Sequence, residues 1–337
     1  MKSLVIGLGV ALGLIWGKPV IAQEFTLRVA DSFPTTHQYS INTKAWLDRV
    51  TELTGGRITF EYYPAEQLAK SADLLDAVES GIADIGYAAP LYMSDRLPIS
   101  TVTALPLVGN VSDPQKLNDA FNELAQNELN EVEFLPQGVR VVRAMVTAPY
   151  QLMMRADKIT SLDQLKGKKI RSSGGVQERS VENLGAVPVA IPAPDLYPAL
   201  QRGTIDGTLF NTPTAAGYKL EEQLKWSTSN LNLGLFPVLY VINENVWSTL
   251  PEDIQKAMIQ AGRDVIPLAI EADRKREVEF DEALKARGGG MYAIEAEELP
   301  NWAAALKPVS EAWIKNLTGQ GKPADKVFAR WEKLVTE

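Results

Sequence analysis

Residues 194–210, "PDLYPALQRGTIDGTLF", repeat a pattern that occurs 122 residues earlier in residues 72–87, "ADLLDAVESGIADIGY". Both copies predict a short helix with an aspartate at its N-cap, a glycine where the helix ends in a left-handed conformation, and an apolar strand after it. The identical pairs are Asp73 and Asp195, Leu74 and Leu196, Ala77 and Ala199, Gly81 and Gly203, and Asp84 and Asp206. The constant spacing indicates that one structural unit occurs twice.

Strand-like runs precede both helices, "RITFEYYPA" at residues 57–65 and "AVPVAIPAP" at residues 186–194. A strand, a crossing helix and a second strand form a right-handed βαβ unit with a parallel sheet. The sequence therefore predicts an α/β protein with two lobes built to one plan. Because helix-glycine-strand junctions are common, a coincidental match is the alternative.

Two further apolar runs, "VRVVRAMVT" at residues 139–147 and "LGLFPVLYVIN" at residues 233–243, are predicted strands. They place two crossings between the lobes, so the hinge is expected to consist of strands. From residue 251 to about residue 287 the sequence is compatible with one helix, interrupted only by Pro267. A continuous helix would be roughly 50 Å long and would lie along both lobes, and a kink or break at Pro267 is the alternative.

Composition limits the possible functions of this chain. With 337 residues, 45% of them hydrophobic and 23% charged, it is long enough for two domains or one large α/β unit. The formal net charge of -8 argues against a nucleic-acid partner, which requires a basic face. No cysteine is present, which excludes disulfides and thiolate metal sites, and His37 is the one histidine.

The N-terminus predicts a cleavable export signal at residues 1–22. It contains Lys2, an apolar run over residues 4–16, and "PVIA" with small residues at the cleavage positions. The alternative is a membrane anchor, but those residues as a helix would span roughly 20 Å, short of the ~30 Å hydrocarbon core. We therefore predict cleavage after Ala22 and a mature chain that is not inserted in a membrane.

The basic stretch "LKGKKIRSSGG" at residues 165–175 contains the first candidate binding residue. Its lysines are expected to face water, as residues in charge runs usually do. Arg171 instead enters a predicted strand followed by small residues, among them Ser173. Small residues allow a ligand to approach the backbone, and the planar guanidinium matches a carboxylate. Arg171 is therefore a candidate anion-binding residue.

The stretch "DGTLFNTPTAAG" at residues 206–217 follows the second repeated helix. It should lie at the carboxyl end of a strand, where open α/β sheets bind their ligands. Phe210 offers a ring face and Asn211 an amide, and Tyr87 and Tyr92 stand at the equivalent point of the first copy. An ordinary strand-to-helix loop is the alternative. No P-loop, dinucleotide or hydrolase motif occurs, so the sequence gives no positive case for catalysis, a cofactor or a metal.

Three segments, "LDQLKGKKIRSSGG", "LGAVPVAIPAPDLYPALQRGTIDG" and "LPEDIQKAMIQAG", resemble signature segments of the substrate-binding proteins of tripartite ATP-independent periplasmic (TRAP) transporters. The resemblance runs from about residue 25 to residue 315. It implies a two-lobe periplasmic-binding-protein fold of the type II-like class, with mixed sheets, a strand hinge and a long lobe-spanning helix. It also implies a periplasmic protein that closes on an organic acid, grips the carboxylate with Arg171, and docks on a sodium-driven membrane permease.

The sequence departs from the best-known family pattern at three places. The second arginine of sialic-acid binders has no counterpart near residues 149–151, and Arg155 is close but offset. Residues 209–211, "LFN", lack the acid of members that bind a metal, and Ala89 replaces an acid found in sialic-acid binders. These departures disfavour sialic acid and a metal-bridged keto acid. They favour a small monocarboxylate, a hydroxy or keto acid, and Phe210, Phe236 and Tyr87 favour an aromatic one.

The chain is expected to divide into two lobes, each made of two separate stretches of sequence. Lobe I is predicted at residues 23–147 plus 238–276, and lobe II at residues 148–237 plus 277–337. The alternatives are an exported hydrolase acting through carboxylates or His37, and a sensory partner of a membrane receptor. The residues predicted to line the ligand site are Arg171, Asn211, Phe210, Arg155, Tyr87, Phe236, His37 and Ser173.

Overall fold

A computed structural model describes residues 24–108 and 113–337. Its strands are β1 (Phe25–Ala30), β2 (Ile58–Tyr63), β3 (Ile85–Ala88), β4 (Val139–Val146), β5 (Gln151–Met154), β6 (Lys169–Ser172), β7 (Val187–Ala190), β8 (Gly207–Phe210), β9 (Trp226–Thr228), β10 (Pro237–Asn243) and β11 (Gly290–Tyr292). Its α-helices are α1 (Gln38–Leu53), α2 (Leu74–Glu79), α3 (Pro114–Leu124), α4 (Val176–Asn183), α5 (Leu196–Arg202), α6 (Thr212–Gly217), α7 (Glu244–Thr249), α8 (Glu252–Asp264), α9 (Ile266–Ala286), α10 (Leu299–Gly319) and α11 (Ala324–Thr336). A π-helix, Ala125–Phe134, continues α3.

The strands form two mixed sheets with one common plan. The first has the order β2-β1-β3-β10-β4 and the second the order β11-β9-β5-β8-β6-β7. In the first, β1 lies between its parallel neighbours β2 and β3, and in the second β6 lies between β7 and β8 in the same way. An antiparallel strand then follows in each, β10 beside β3 and β5 beside β8. The prediction of an α/β protein with two similar lobes is confirmed, and each lobe is named here by its sheet.

The repeated segments show which local predictions hold. Gly81 and Gly203 end their helices with φ of 75° and 70°, the left-handed conformation expected. The N-cap prediction is wrong in its chemistry, because neither Asp73 nor Asp195 caps its helix with its side chain. Both have helical backbone angles instead of the extended ones from which a cap forms.

The hinge between the lobes contains two antiparallel chain segments. The chain leaves the first sheet after β4, enters the second at β5, and returns between β9 and β10. Hydrogen bonds join these segments, from the Thr147 N–H to the Phe236 carbonyl at 3.1 Å and from the Tyr150 N–H to the Gly234 carbonyl at 2.8 Å. The segments are therefore paired like strands, as the predicted strand hinge requires.

Helix α9 is the element that spans both lobes. The predicted long helix is broken at Val265, and Pro267 stands in the first turn of α9, where its missing N–H costs nothing. At 21 residues α9 is roughly 30 Å long. It contacts α1 and α3 on the first-lobe side and α6 and β11 on the second-lobe side.

The C-terminal helices lie on different lobes. Helix α10 packs against α4 of the second lobe, whereas α11 packs against α3 of the first. The prediction placed both helices in lobe II, whereas α11 packs on the first lobe. The predicted boundaries at residues 147 and 237 fall in the hinge segments, and the exact division into lobes stays a prediction.

The predicted export signal at residues 1–22 and its cleavage after Ala22 lie outside the described residues. Within residues 24–108 and 113–337, the helices do not combine the length and the apolar character that a membrane crossing requires.

Candidate functional site

Arg171 lies in β6, between β7 and β8, and its side chain is fully buried. Its Nε donates to the carbonyl oxygen of Ile191 at 2.7 Å, and Nη1 donates to that of Leu209 at 3.3 Å. Its Nη2 has no hydrogen-bond partner within the described part of the chain. Leaving a buried charged donor unpaired is costly, so this nitrogen is poised to bind an anionic oxygen.

Other side chains at this edge of the second sheet keep a buried polar atom free, among them Ser173 Oγ, Gln177 Nε2 and Asn211 Nδ2. The other end of each amide is already used, since Gln177 Oε1 accepts from the Ser173 N–H and Asn211 Oδ1 accepts from the Thr214 N–H, both at 2.9 Å. Because β6 and β8 are parallel neighbours, their carboxyl ends meet at one edge. Arg171 and these free polar atoms therefore gather where α/β sheets bind ligands.

Eight aromatic residues from both lobes and the hinge adjoin this edge. The guanidinium carbon of Arg171 lies 5.1 Å from the ring centre of Phe210. Ring contacts with centre-to-centre distances of 4.8 to 6.4 Å connect, in order, Tyr92, Phe236, Tyr150, Phe210, Tyr218, His37, Phe33 and Tyr87. This set, named the aromatic box, brings aromatic rings of both lobes and the hinge together beside a cation.

The tyrosine hydroxyls of the box lie close to one another and to Arg171. Burial raises the pKa of Tyr87, and the neighbouring hydroxyls of Tyr92, Tyr218 and Tyr150 raise it further. Burial also raises the pKa values of Tyr92 and Tyr150, while the positive charge of Arg171 lowers both. These phenols therefore keep their protons at neutral pH and can donate hydrogen bonds to a bound anion.

The two lobes touch around the site. The Ala193 N–H of the second lobe donates to the Tyr92 hydroxyl of the first at 3.0 Å. Gly174, with φ of 98°, stands where a Cβ atom would come within 2.7 Å of the Leu91 carbonyl oxygen. The backbone of one lobe thus lies directly on the other, an arrangement called closed here.

His37 is fully buried and stands immediately before α1 in the first lobe. Its Nδ1 accepts the Tyr39 N–H at 3.1 Å, which caps α1. Its ring stacks on Phe33 at 4.8 Å and lies 4.8 Å from the ring of Tyr218 in the second lobe. The geometry places His37 in the box, and among the described residues its recorded hydrogen-bond partner is the Tyr39 N–H and not the carboxylate that orients a catalytic base.

Arg155 is not brought to the other predicted site residues. It follows β5, which runs antiparallel to β8 and pairs Gln151 with Phe210 but Met154 with Gly207. Arg155 therefore lies at the amino end of β8, the opposite end from Phe210. There its guanidinium contacts Gly203 and lines a small surface cavity with Asp157 and Asp206. Arg155 is close in sequence to the hinge, but the antiparallel direction of β5 carries it away from the site.

The other predicted residues converge. Arg171, Ser173, Phe210 and Asn211 lie at the second-lobe edge, Tyr87 and His37 come from the first lobe, and Phe236 comes from the hinge. Sequence reasoning missed Phe33, Tyr150, Gln177 and Tyr218. For Tyr150 the available signal was its position at the crossing between the two sheets.

The family model for bacterial extracellular solute-binding proteins, family 7, named DctP, matches residues 29–316. The chain belongs to this family. The present chain is 23% identical over 311 residues to the C4-dicarboxylate-binding periplasmic protein DctP of Rhodobacter capsulatus. The match covers 91% of the present chain and 92% of the Rhodobacter protein. The family comprises extracytoplasmic solute receptors rather than enzymes, and its TRAP members bind small organic acids and work with membrane permeases.

Solved structures agree with this membership. A TRAP solute-binding protein from Rhodoferax ferrireducens T118 in complex with copurified benzoate is 25% identical, with a TM-score of 0.83, covering 92% of this chain and 97% of that chain. A marine metagenome TRAP solute-binding protein specific for aromatic acid ligands, with 3-hydroxybenzoate, is 24% identical, with a TM-score of 0.83 and coverages of 94% and 99%. The two-lobe fold expected from the resemblance is confirmed, and the hydrolase alternative receives no support.

Across residues 24–108 and 113–337, no three histidine, aspartate or glutamate side chains are grouped so that they could hold an ion. The polar atoms left free at the sheet edge are mostly nitrogen donors, which suit an anion and not a cation.

Proposed function

We propose that this DctP-family protein captures a small organic acid with one carboxylate in the periplasm and delivers it to the permease subunits of a TRAP transporter. The observation that carries the proposal is the unpartnered Nη2 of the buried Arg171 beside the aromatic box. A charge-assisted hydrogen bond from this nitrogen to a carboxylate is worth about 1.5 to 3 kcal/mol. The bond would fix the charge class and orientation of the ligand, and ring contacts would add apolar affinity.

The positions of the buried arginines support a ligand with one carboxylate and not two. Within the described part of the chain the buried cations are Arg143 and Arg171. Arg143 belongs to the first-lobe core, where it donates to Asn42 and Thr43, and Arg155 lies at the far end of β8. A second ligand carboxylate in the closed cleft would thus lack a cation of its own, and burying an unpaired charge is strongly unfavourable.

The rings support a flat ligand. Phe210, Tyr150, Phe236 and Tyr218 form faces near Arg171 that can stack against a ring of the ligand. The Rhodoferax ferrireducens relative was solved with benzoate, which combines one carboxylate with an aromatic ring. We therefore place aromatic monocarboxylates first among the organic acids.

The proposal includes release without chemical change. His37 is held as a helix cap and, within residues 24–108 and 113–337, has no carboxylate as a hydrogen-bond partner. The free groups around Arg171 can bind an anion without activating a nucleophile. We further propose that the export signal is removed after Ala22, so that the mature chain works in the periplasm.

The test is calorimetry on the mature protein, unfolded and refolded to remove copurified ligand. Probes are benzoate, its neutral isostere benzamide, and the dicarboxylates phthalate and succinate. Benzoate is expected to bind at least a hundredfold more tightly than benzamide and more tightly than either dicarboxylate. Recovery of unchanged benzoate after long incubation checks the absence of turnover. Equal affinity for benzamide, or tighter binding of succinate than of any monocarboxylate, would refute the proposal.

A further inference from the structure

A cavity of about 530 Å³ lies between the two hinge segments and helix α9. Leu117 of α3 lines it from the first lobe, and Pro213 of α6 and Met291 of β11 line it from the second. Ala269 and Ile270 of α9 form a further part of its wall. The cavity is therefore bounded by both lobes and by the elements that connect them, and it is named the rear cavity.

The rear cavity lies on the other side of the hinge from the ligand site. Pro149 and Gln151 line it, whereas Tyr150, between them in the sequence, belongs to the aromatic box. Successive residues of an extended segment point to opposite faces, so this hinge segment separates the cavity from the box. The same change of side occurs after β8, since Asn211 belongs to the ligand site and Pro213 lines the cavity.

The buried wall of the rear cavity is mainly apolar. Two amide side chains in it already have backbone partners, since Asn118 Oδ1 accepts the Val146 N–H at 3.0 Å and Gln151 Nε2 donates to a carbonyl of the returning hinge segment at 2.6 Å. Its charged residues are confined to α9, where Arg274 and Glu277 are exposed to solvent. Burying apolar surface is favourable, so these walls would gain stability by meeting one another.

The position of the hinge couples the width of the rear cavity to the opening of the ligand site. The hinge segments join the lobes between the site and the cavity. A rotation about them that separates the lobes at the site brings the lobes together on the other side. In the closed arrangement the Ala193 N–H reaches the Tyr92 hydroxyl across the site, so the rear cavity is at its widest. Opening the site would therefore narrow the cavity and bring its apolar walls into contact.

We infer that the rear cavity sets the balance between open and closed lobes, so that a group filling it favours closure and raises the affinity for the ligand. When a ligand binds only the closed lobes, its apparent affinity is reduced by the fraction of protein that is closed. A larger closed fraction thus raises affinity without any new ligand contact. The link to ligand affinity rests on the proposed function, whereas the lobe positions can be measured without ligand.

The test fills the rear cavity with a large ring. Ile270→Trp adds the ring from α9, and Ser229→Trp adds it from the returning hinge segment, at an exposed residue whose replacement does not disturb the buried core. Leu268→Trp is the matched control, because Leu268 is 59% exposed on the same helix and does not line the cavity. Calorimetry with benzoate on the refolded mature proteins should give a dissociation constant at least threefold lower for both cavity variants than for the control. General damage to the fold would weaken binding and cannot produce this gain.

The lobe positions are measured without ligand by pulsed electron paramagnetic resonance. Because the chain contains no cysteine, Ile82→Cys and Val187→Cys introduce one spin label on each lobe, at side chains that are 52% and 46% exposed. The ligand-free control should show an open population beside the distance of the closed arrangement. In both cavity variants the ratio of closed to open protein should rise at least threefold.

The two measurements separate failure of this inference from failure of the proposed function. Cavity variants that fold but bind benzoate no more tightly than Leu268→Trp would overturn the inference and leave the proposed function standing. Tighter binding without a shift of the ligand-free distances, or a control without an open population, would also overturn it. If no carboxylate binds the unmodified protein, the proposed function fails, and the spin-label distances alone decide: a shift towards closure supports the inference, and unchanged distances refute it.

Discussion

Gly217 of α6 lies directly against the imidazole edge of His37 in the first lobe, so the lobes meet at a residue without a side chain. A Cβ atom at position 217 would stand 2.6 Å from Oε1 of Gln38 and would overlap the Cδ2 and Nε2 atoms of His37. A side chain here therefore requires His37 and Gln38, or the lobes themselves, to move.

Gly217→Ala is predicted to weaken ligand binding while leaving the fold intact. Alanine favours a helix over glycine by up to about 1 kcal/mol, so urea unfolding should show equal or higher stability. Benzoate affinity measured by calorimetry should drop at least tenfold, because the closed state is obstructed. Gly319→Ala in α10 is the matched control, since a Cβ atom there meets nothing within 4 Å. If both variants bind equally well, Gly217 does not limit closure.

Tyr92→Phe tests the hydrogen bond between the lobes. The Tyr92 hydroxyl accepts the Ala193 N–H, and its removal leaves that donor unpaired in the closed state. A neutral hydrogen bond contributes about 0.5 to 1.5 kcal/mol, so affinity should fall about two- to tenfold by calorimetry. Tyr63→Phe removes an exposed hydroxyl that donates to Glu61 and should not change affinity. An unchanged affinity in Tyr92→Phe would mean that this bond does not stabilise closure.

The protonation state of His37 can be measured directly, because the chain has one histidine. Burial, helped by the positive charge of Arg276, lowers its pKa to about 3. Imidazole NMR signals of tag-free protein should show the neutral Nε2–H tautomer with no titration between pH 8 and 5. A midpoint near 6.5, the value of an exposed histidine, would show that His37 is not held as the structure describes.

Because the pKa of His37 is lowered in the folded state, the free energy of unfolding is expected to decrease as the pH falls. Between pH 6.5 and 3 the unfolded chain binds a proton on His37 that the folded chain does not. This contribution is fully present above pH 6.5 and is lost as the pH falls. From pH 7 to pH 5 the free energy of unfolding should drop by about 2 kcal/mol more than in His37→Asn, which keeps a capping oxygen. Parallel pH profiles for the two proteins in urea unfolding would contradict this.

Much of the fold was predictable because it rests on local patterns that occur twice. The strands β3 and β8 keep the spacing of the repeated segments, and Gly81 and Gly203 end both helices as expected. The matching Asp84 and Asp206 were expected only as repeat positions. They accept the backbone N–H of Arg28 at 2.7 Å and of Lys169 at 2.8 Å, contacts between strands that no local pattern encodes.

The site was predictable only where its residues lie on the repeated strands. Arg171, Phe210 and Asn211 follow from the carboxyl edge of the second sheet. Tyr150 and Tyr218 join them through the hinge and through lobe closure, which bring together residues that are distant in sequence. Arg155 was predicted in the site but lies outside it. The antiparallel strand β5 places Gln151 beside Phe210 and Arg155 beyond the opposite end of β8.

The central claim is that Arg171 holds the ligand carboxylate, and calorimetry of Arg171→Gln with benzoate tests it most directly. Arg155→Gln is the matched control, because that arginine lies at the opposite end of β8. Losing a charge-assisted hydrogen bond costs about 1.5 to 3 kcal/mol, so Arg171→Gln should bind at least tenfold more weakly, while Arg155→Gln binds like the unmodified protein. Unchanged benzoate affinity in a folded Arg171→Gln protein would contradict the account.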